Sequence, residues 1–462
     1  MRHILGNATV ITVDRDRRIL LDGAVAFEGD TILAVGKTST VREEFPSFVF
    51  LDMKEHVIMP GLINAHVHLT QALIKGCADD MSLIDFLANR IWRLMGNYDE
   101  KDACASANIC MLEMLKSGTT TFAETLLLSR YGLDGITKAV VDSGMRGMLA
   151  KSVMDIATYA TRDNIMFEGM VEDGETCLRQ AVDWKNNWEN AGNGRIQIWL
   201  GPRPVGSTTL DILKKVSATA REYGLGIAIH FCEVKQDLEL MRSQYQMTPG
   251  VLAETAGILT DRTLLIHSVW LTRDDMRIIR KYSSSVVHCP ASNLKLASGF
   301  CPVPELFEEG INVALGTDAA TCDNAHDMFD AMRLAAIVHK GRTLDPMAVP
   351  AESVIEMATI NGARAIGLED QIGSLEAGKK ADIITIDMRS PRLVPNVNPV
   401  SAVVYSAKGS DVDNVVIDGR FVVRDRAVLT MDENKVVAEA ISRVGSAMEK
   451  AGVVNAPKWP MI

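Results

Sequence analysis

Basic residues are in the minority here: 48 Lys and Arg stand against 59 Asp and Glu, a formal net charge of −11. Such a balance leaves no electrostatic footprint for nucleic acid or an anionic membrane surface. No apolar run reaches the 18 or so residues of a membrane span, so no transmembrane helix is expected. The N-terminal Met1-Arg2-His3-Ile4-Leu5-Gly6-Asn7 lacks the apolar core of a secretion signal. The eight cysteines are scattered, and none forms a Cys-x-x-Cys pair. They read as free thiols of a reducing, cytoplasmic compartment. Histidine is scarce as well, with nine in 462 residues. Where those nine fall therefore carries information.

Two of them stand in Pro60-Gly61-Leu62-Ile63-Asn64-Ala65-His66-Val67-His68. Alternate residues of a strand share a face, so His66 and His68 are expected to aim at one point, as half of a metal site would. Before this stretch, residues 1–56 read as strands and turns, including Ala8–Val13, Ala24–Phe27 and Thr31–Gly36. After it, apolar runs alternate with amphipathic segments. The runs are 57–68, 118–124, 145–154, 196–203, 227–232, 264–270, 285–293 and 313–318, with helical patterns such as 100–116, 210–223 and 274–282 between them. The alternation predicts an α/β chain with a parallel sheet and crossover helices, and eight units predict a closed (β/α)8 barrel. A doubly wound open sheet is the competing architecture, but no Gly-rich phosphate loop follows the first strand. Helical patterns at 328–340 and 351–366 follow. Strand patterns then return at 383–386, 403–405 and 415–423, and 438–450 reads as an amphipathic helix. The expected organisation is a β-sandwich built from both chain ends (1–56 and 371–430), a barrel at 57–370 and a helical tail at 431–462.

Functional residues of such a barrel lie at the C-terminal ends of its strands. Those ends carry His66 and His68, His230, His267 and Asp318. Imidazoles and a carboxylate with a position open for water fit a hydrolytic zinc site. The ion lowers the pKa of that water and so supplies hydroxide. Glu233, three residues after His230, is placed to shuttle the proton to the leaving group. His267 is either a ligand or a group that polarises the substrate and orients the hydroxide. Asp318 is expected to ligate and to take a proton.

The chain resembles the amidohydrolase superfamily, in its chlorohydrolase and deaminase branch. The matching segments are Met59–His68, His230 with Glu233, His267, His288-Cys289-Pro290-Ala291-Ser292-Asn293-Leu294-Lys295, Ala314–Asp318, Met328–Arg333 and Gly378–Asp382. They run nearly from end to end. The resemblance implies one divalent metal, zinc or alternatively iron, on His66, His68, His230 and Asp318. It also implies Glu233 as proton shuttle and His267 as a close second-layer group or weak ligand. Binuclear members carry a lysine on the fourth strand. Here that strand, Ile196–Arg203, has none, which favours a single metal.

The expected activity is hydrolytic deamination of a planar amino-heterocycle: a purine, pyrimidine, pterin or triazine. Hydrolysis of a triazine-like ring with chloride or an alkylamine as leaving group is the alternative of the same chemistry. A metal-binding barrel without catalysis is the alternative of another class. Trp92 and Trp270 are expected to stack on the ring, and Asn293 to hydrogen-bond it. Met95 stands where nucleoside-type members of the branch carry an acid, and Arg203 where they carry a histidine. Both departures weaken an adenosine-derivative assignment, and Arg203 suits a carbonyl or carboxylate. The 290–295 segment resembles the nucleoside deaminases, while Val453–Trp459 resembles the triazine group. The remaining expectations are a small-molecule substrate, neither nucleic acid nor membrane as partner, and a homo-oligomer.

Overall fold

The computed structural model describes residues 2–159, 165–454 and Trp459. Of the stretch 453–459, residues 455–458 lie outside the described residues. The strands fall into a nine-stranded sheet made by both chain ends and an eight-stranded sheet between them.

The terminal sheet begins with β1 (Arg2–Ile11), β2 (Ile19–Glu28), β3 (Thr31–Lys37), β4 (Val49–Asp52) and β5 (His56–Pro60). The barrel sheet holds β6 (Leu62–Val67), β7 (Thr119–Leu127), β8 (Arg146–Val153), β9 (Ile196–Pro202), β10 (Gly226–Phe231), β11 (Thr263–His267), β12 (Ser285–His288) and β13 (Val313–Leu315). The chain then returns to the terminal sheet through β14 (Ile383–Asp387), β15 (Val412–Ile417), β16 (Arg420–Arg424) and β17 (Ala427–Val428). The two ends meet at one seam, where β5 runs antiparallel to β14 from His56 opposite Asp387 to Pro60 opposite Ile383. Leu5, Val25, Phe27, Ile58, Ile383 and Val416 form one buried apolar cluster there. Neither end holds this core alone, which is why the strands of residues 2–60 need those of 383–428.

The eight barrel strands run parallel in chain order. Just past β13 the ring is completed by a bridge from Val67 to Asp318, with the Asp318 amide donating to the His66 carbonyl at 3.0 Å. Residues from all eight strands, among them Ile63, Ala65, Ala123, Met148, Trp199, Ala228, Leu264, Val287 and Ala314, pack together inside. Ala363, Ile366, Leu368 and Ile372 join that cluster from after the last barrel strand. The interior is thus a packed core, and chemistry is confined to its rim. The helix Glu100–Lys116 leads into β7 and shows how the crossovers are set. Asp99 accepts from the Asp102 amide at 2.9 Å and Asp102 accepts in return from the Asp99 amide at 3.2 Å, a capping box. Its Ala103, Ala107, Cys110 and Met114 are buried.

Several elements differ from the expectation: 264–270 stops at His267, 351–366 is two helices, Ala351–Met357 and Ile360–Ala365, and three further stretches depart for a local reason. The run 57–68 is two strands in two sheets, because the chain turns over at Gly61. Gly61 donates to the Asp382 carbonyl, whereas Leu62 donates to the Gly118 carbonyl of the barrel. A Cβ on Gly61 would sit 2.3 Å from the Thr120 side chain, so only glycine passes. The run 285–293 stops at His288, and Asn293 lies on a short helix, Pro290–Lys295. Val403–Tyr405 is not a strand but the end of the helix Pro399–Tyr405. Asn398 caps that helix through the Ser401 amide and proline takes its first turn, so burial of Val400, Val403 and Val404 overrides their β preference.

Candidate functional site

The rim of the barrel at the C-terminal strand ends gathers the four histidines and the aspartate. His66 and His68 do not converge by simple alternation. Between Asn64 and Val67, three steps on β6 run against two on β7, from Phe122 to Glu124. This is a β-bulge, which re-aims the side chains around it. Gly316 allows the last strand to come close: a Cβ there would lie 2.7 Å from the His66 Cβ. His267 (φ 70°), the last residue of β11, and Asp318 (φ 62°), three residues after β13, hold left-handed backbone, a conformation non-glycine residues adopt at a cost.

The donor atoms converge. His66 Nε2 lies 3.2 Å from Asp318 Oδ1, and His68 Nε2 lies 3.3 Å from the same oxygen and 3.2 Å from His230 Nε2. The His66–His68–His230 and His66–His267–Asp318 groups each keep their donor atoms within 4.8 Å of one another. A tetrahedral zinc with bonds of about 2.05 Å sets its donors about 3.3 Å apart. The measured separations match that edge. At 3.2 Å the two imidazole nitrogens cannot both present bare lone pairs: either one ring turns its N–H to the other or a cation sits between them. Burial lowers the pKa of His230 well below the ordinary value, and lowers that of His66 to about 4 despite Asp318. For Asp318, burial acts to raise the pKa, but His66, His267 and His68 outweigh it and hold the carboxyl well below its usual range. Neutral His66 and His230 with an ionised Asp318 form the donor set that a divalent cation takes. His68 goes the other way: burial opposes its charge, but Glu124, 3.7 Å from Nδ1, and Asp318 raise it.

Glu233 stands beside this cluster. Its Oε2 is 3.5 Å from His267 Nε2, and its Oε1 accepts from the Ser298 hydroxyl at 3.2 Å. Burial raises its pKa. Its backbone amide and that of Val234 donate to Asp237, at 3.0 and 3.1 Å, which pins the segment after β10.

A cleft opens on the cluster, lined on one side by His68, His230, Glu233, His267 and Asp318. Trp92, Met95 and Arg203 line it as well, together with Gln71, Tyr159 and Leu296. Trp270 and Asn293 are not among the described lining residues. Trp270 Nε1 donates to the Ser298 carbonyl at 3.0 Å. Asn293 sits on the other nitrogen of His267, accepting from Nδ1 at 3.0 Å. It fixes the tautomer that leaves Nε2 facing Glu233 and Asp318. Sequence reading missed Ser292, which donates to Asp318 Oδ2 at 2.6 Å, and Thr125, 3.3 Å from His66 Nδ1. It also missed Ser298 and Glu124, whose carboxylate accepts from the Leu69 amide. Serines and threonines are too common to stand out. Glu124 closes the expected second strand and was open to notice.

The amidohydrolase family model matches residues 57–422. The chain belongs to the amidohydrolase family. A model of a bacterial imidazolonepropionase-like composite domain also matches residues 23–47. Among relatives of this amidohydrolase, a 5-methylthioadenosine/S-adenosylhomocysteine deaminase of Moorella thermoacetica is 37% identical over 91% of this chain and 94% of its own. A 5'-deoxyadenosine deaminase of Methanosarcina acetivorans is 37% identical over 95% of this chain and 96% of its own. A solved adenosine deaminase from Xanthomonas campestris, with bound zinc, superposes with a TM-score of 0.88 at 28% identity, over 96% of this chain and 98% of that one. An atrazine chlorohydrolase from Arthrobacter aurescens shares the fold, with a TM-score of 0.87 at 24% identity over 96% of this chain and 100% of that one.

Proposed function

We propose that this amidohydrolase is a metal-dependent aminohydrolase that releases ammonia from a planar amino-heterocycle of purine, pyrimidine, pterin or triazine type. The observation that carries the reading is the convergence of His66, His68, His230 and Asp318 at 3.2–3.3 Å, with Glu233 beside His267 at the mouth of one cleft. The relatives named as deaminases of adenosine derivatives support the reaction class.

His66, His68, His230 and Asp318 would hold one divalent ion, with zinc the first choice and iron the second. When bound, the ion makes water nucleophilic near neutral pH and polarises the carbon under attack. Glu233, its pKa raised by burial, takes a proton from the attacking water and returns it to the ring or to the departing amine. His267, held through Nδ1 by Asn293, turns Nε2 toward the developing charge on the substrate. Asp318, kept ionised, takes the second proton and passes it on, so that the ring nitrogen and the departing amine gain one each and ammonia leaves as the carbonyl forms. Trp92 meets Tyr159 edge to face, with ring centroids 5.7 Å apart and planes at 73°, and one of these ring faces would stack on the heterocycle. The working form in this proposal is a cytoplasmic homo-oligomer.

The test is metal analysis followed by an ammonia-release screen of the zinc-loaded protein across purines, pterins, cytosine derivatives and aminotriazines. A protein that takes up no divalent ion and stays inert after reconstitution overturns the reading. Glu233→Gln is expected to lower kcat on the amino substrate by about 10²–10⁴ with metal content unchanged. On the chloro version of the same ring the loss should be smaller, since chloride leaves without a proton. Equal losses on both rings would remove Glu233 from the proton path.

A further inference from the structure

Arg203 directly follows β9 and is 3% exposed, yet its guanidinium Nε and Nη2 have no hydrogen-bond partner among the described residues. No carboxylate forms an ion pair with it there. Its neighbours are the wrong kind to satisfy it. The Tyr131 hydroxyl is engaged with the Met95 carbonyl at 3.3 Å. The Glu172 carboxylate is taken by Lys151 at 2.8 Å and by the Ser129 amide at 3.0 Å. A buried, unpaired guanidinium is costly to keep, and this one lines the cleft. Its backbone is fixed by a bond from the Arg203 amide to the Val153 carbonyl at 2.9 Å.

The rest of the wall gives the same signal. Gln71 Oε1 is occupied by the Thr321 hydroxyl at 2.7 Å, which leaves its amide NH2 to face the cleft. Away from the metal-ligating cluster the polar side chains Gln71 and Arg203 therefore offer donors. The apolar lining includes Leu83, Phe86, Ile91, Trp92, Met95 and Leu296. Glu233 and Asp318 are the only carboxylates among the described lining residues, and both belong to the chemistry. A ribose diol is best held by a carboxylate acceptor, and the described lining offers none outside the reacting cluster, where the Tyr159 hydroxyl is the remaining neutral oxygen.

We infer that the substrate is an amino-heterocycle without a pentose, bearing an oxygen acceptor on the ring (an oxo group or a carboxylate) that pairs with Arg203. The inference rests on the aminohydrolase reading and narrows its substrate. Arginine supplies a planar fork for such an oxygen, and a site built around an unpaired donor rejects rings that lack the acceptor.

The experiment compares matched rings on the zinc-loaded protein: cytosine and 4-aminopyrimidine-2-carboxylate against 4-aminopyrimidine, and guanine against 2-aminopurine, with 5'-methylthioadenosine as the pentose arm. The first comparison separates oxo from carboxylate. The acceptor-bearing member of a pair is expected to lead in kcat/KM by about 10²-fold or more. Arg203→Met should bring that ratio near one, mainly through KM, with metal content and melting temperature retained. Arg203→Lys, which keeps the charge and loses the fork, should fall between. Equal rates within every pair, an unchanged ratio in Arg203→Met, or faster turnover of 5'-methylthioadenosine than of every acceptor-bearing ring overturns the inference. If no ring releases ammonia, it is the aminohydrolase reading that falls. Calorimetric binding then decides for Arg203: acceptor-bearing rings must bind wild type more tightly than their partners and lose that advantage in Arg203→Met, and equal binding overturns it.

Discussion

His267 illustrates how one residue's role depends on the side chain it leans on. Its Nδ1 donates to Asn293 at 3.0 Å, while its Nε2 lies 3.5 Å from Glu233 and 3.8 Å from Asp318. In the proposed reaction Asn293 therefore acts through the imidazole and not on the substrate ring. Asn293→Ala is expected to leave KM within about twofold and to lower kcat about 10-fold or more, as loss of the partner that orients an imidazole does. It should also cost about 1–3 kcal/mol of stability, since it leaves a buried donor unpaired. Steady-state kinetics with a denaturation curve checks both, and a KM rise at constant kcat would place Asn293 on the substrate. In the sequence Asn293 looked like a substrate contact because its position after a strand was legible. The short helix Pro290–Lys295 that turns it to His267 was not. Trp270 was misplaced for a like reason, since β11 ends at His267 and the chain turns over two residues with positive φ, His267 and Ser268.

Strands and helices were read well where periodicity was long and undisturbed. The helices at 100–116 and 210–223 stand as expected, because capping residues and buried stripes agree with each other. The misreadings occur where one residue changes the rule. Gly61 splits an apolar run between two sheets, and Asn398-Pro399 starts a helix in a valine-rich segment. Gly61→Ala is expected to destabilise by about 1–3 kcal/mol, the usual range for overpacking, with Thr120→Ala restoring part of the loss. Urea midpoints of the single and double variants measure it. The seam of the terminal sheet carries a second test. His56 on β5 bonds Asp413 on β15 at 3.0 Å, across β14. Burial opposes the charge of His56, but Asp413 raises its pKa above the ordinary value. With the folded pKa above the unfolded one, this stabilisation is complete below about pH 6.5 and fades as pH rises through the folded pKa. His56→Gln should therefore lose stability against wild type at pH 6 and much less at pH 9, by melting temperature in matched buffers.

The molecule as a whole is joined by one buried ionic knot. Arg146, at the start of β8, reaches Asp418 at 2.6 Å and Asp382 at 3.3 Å, and Asp418 lies 3.8 Å from Arg195. Both aspartates belong to the terminal sheet region, and Arg146 belongs to the barrel. Removing the guanidinium leaves Asp382 without its cation and Asp418 with only Arg195 at 3.8 Å, so Arg146→Met is expected to cost about 3–5 kcal/mol. Adding Asp382→Asn and Asp418→Asn should recover a large part of it. If the triple variant is no more stable than Arg146→Met, the knot is not what couples sheet and barrel.

The seam between β5 and β14 has a consequence for the chain as it is made. β5 pairs on one side with β1 early in the chain, at Thr9 and Val10, and on the other only with residues 383–387. During synthesis the ribosome must therefore deliver more than three hundred residues before that second edge finds its partner. Until then His56-Val57-Ile58-Met59-Pro60 presents an open, apolar ladder to other nascent chains. Only the closing proline, which has no amide hydrogen to offer, blunts it.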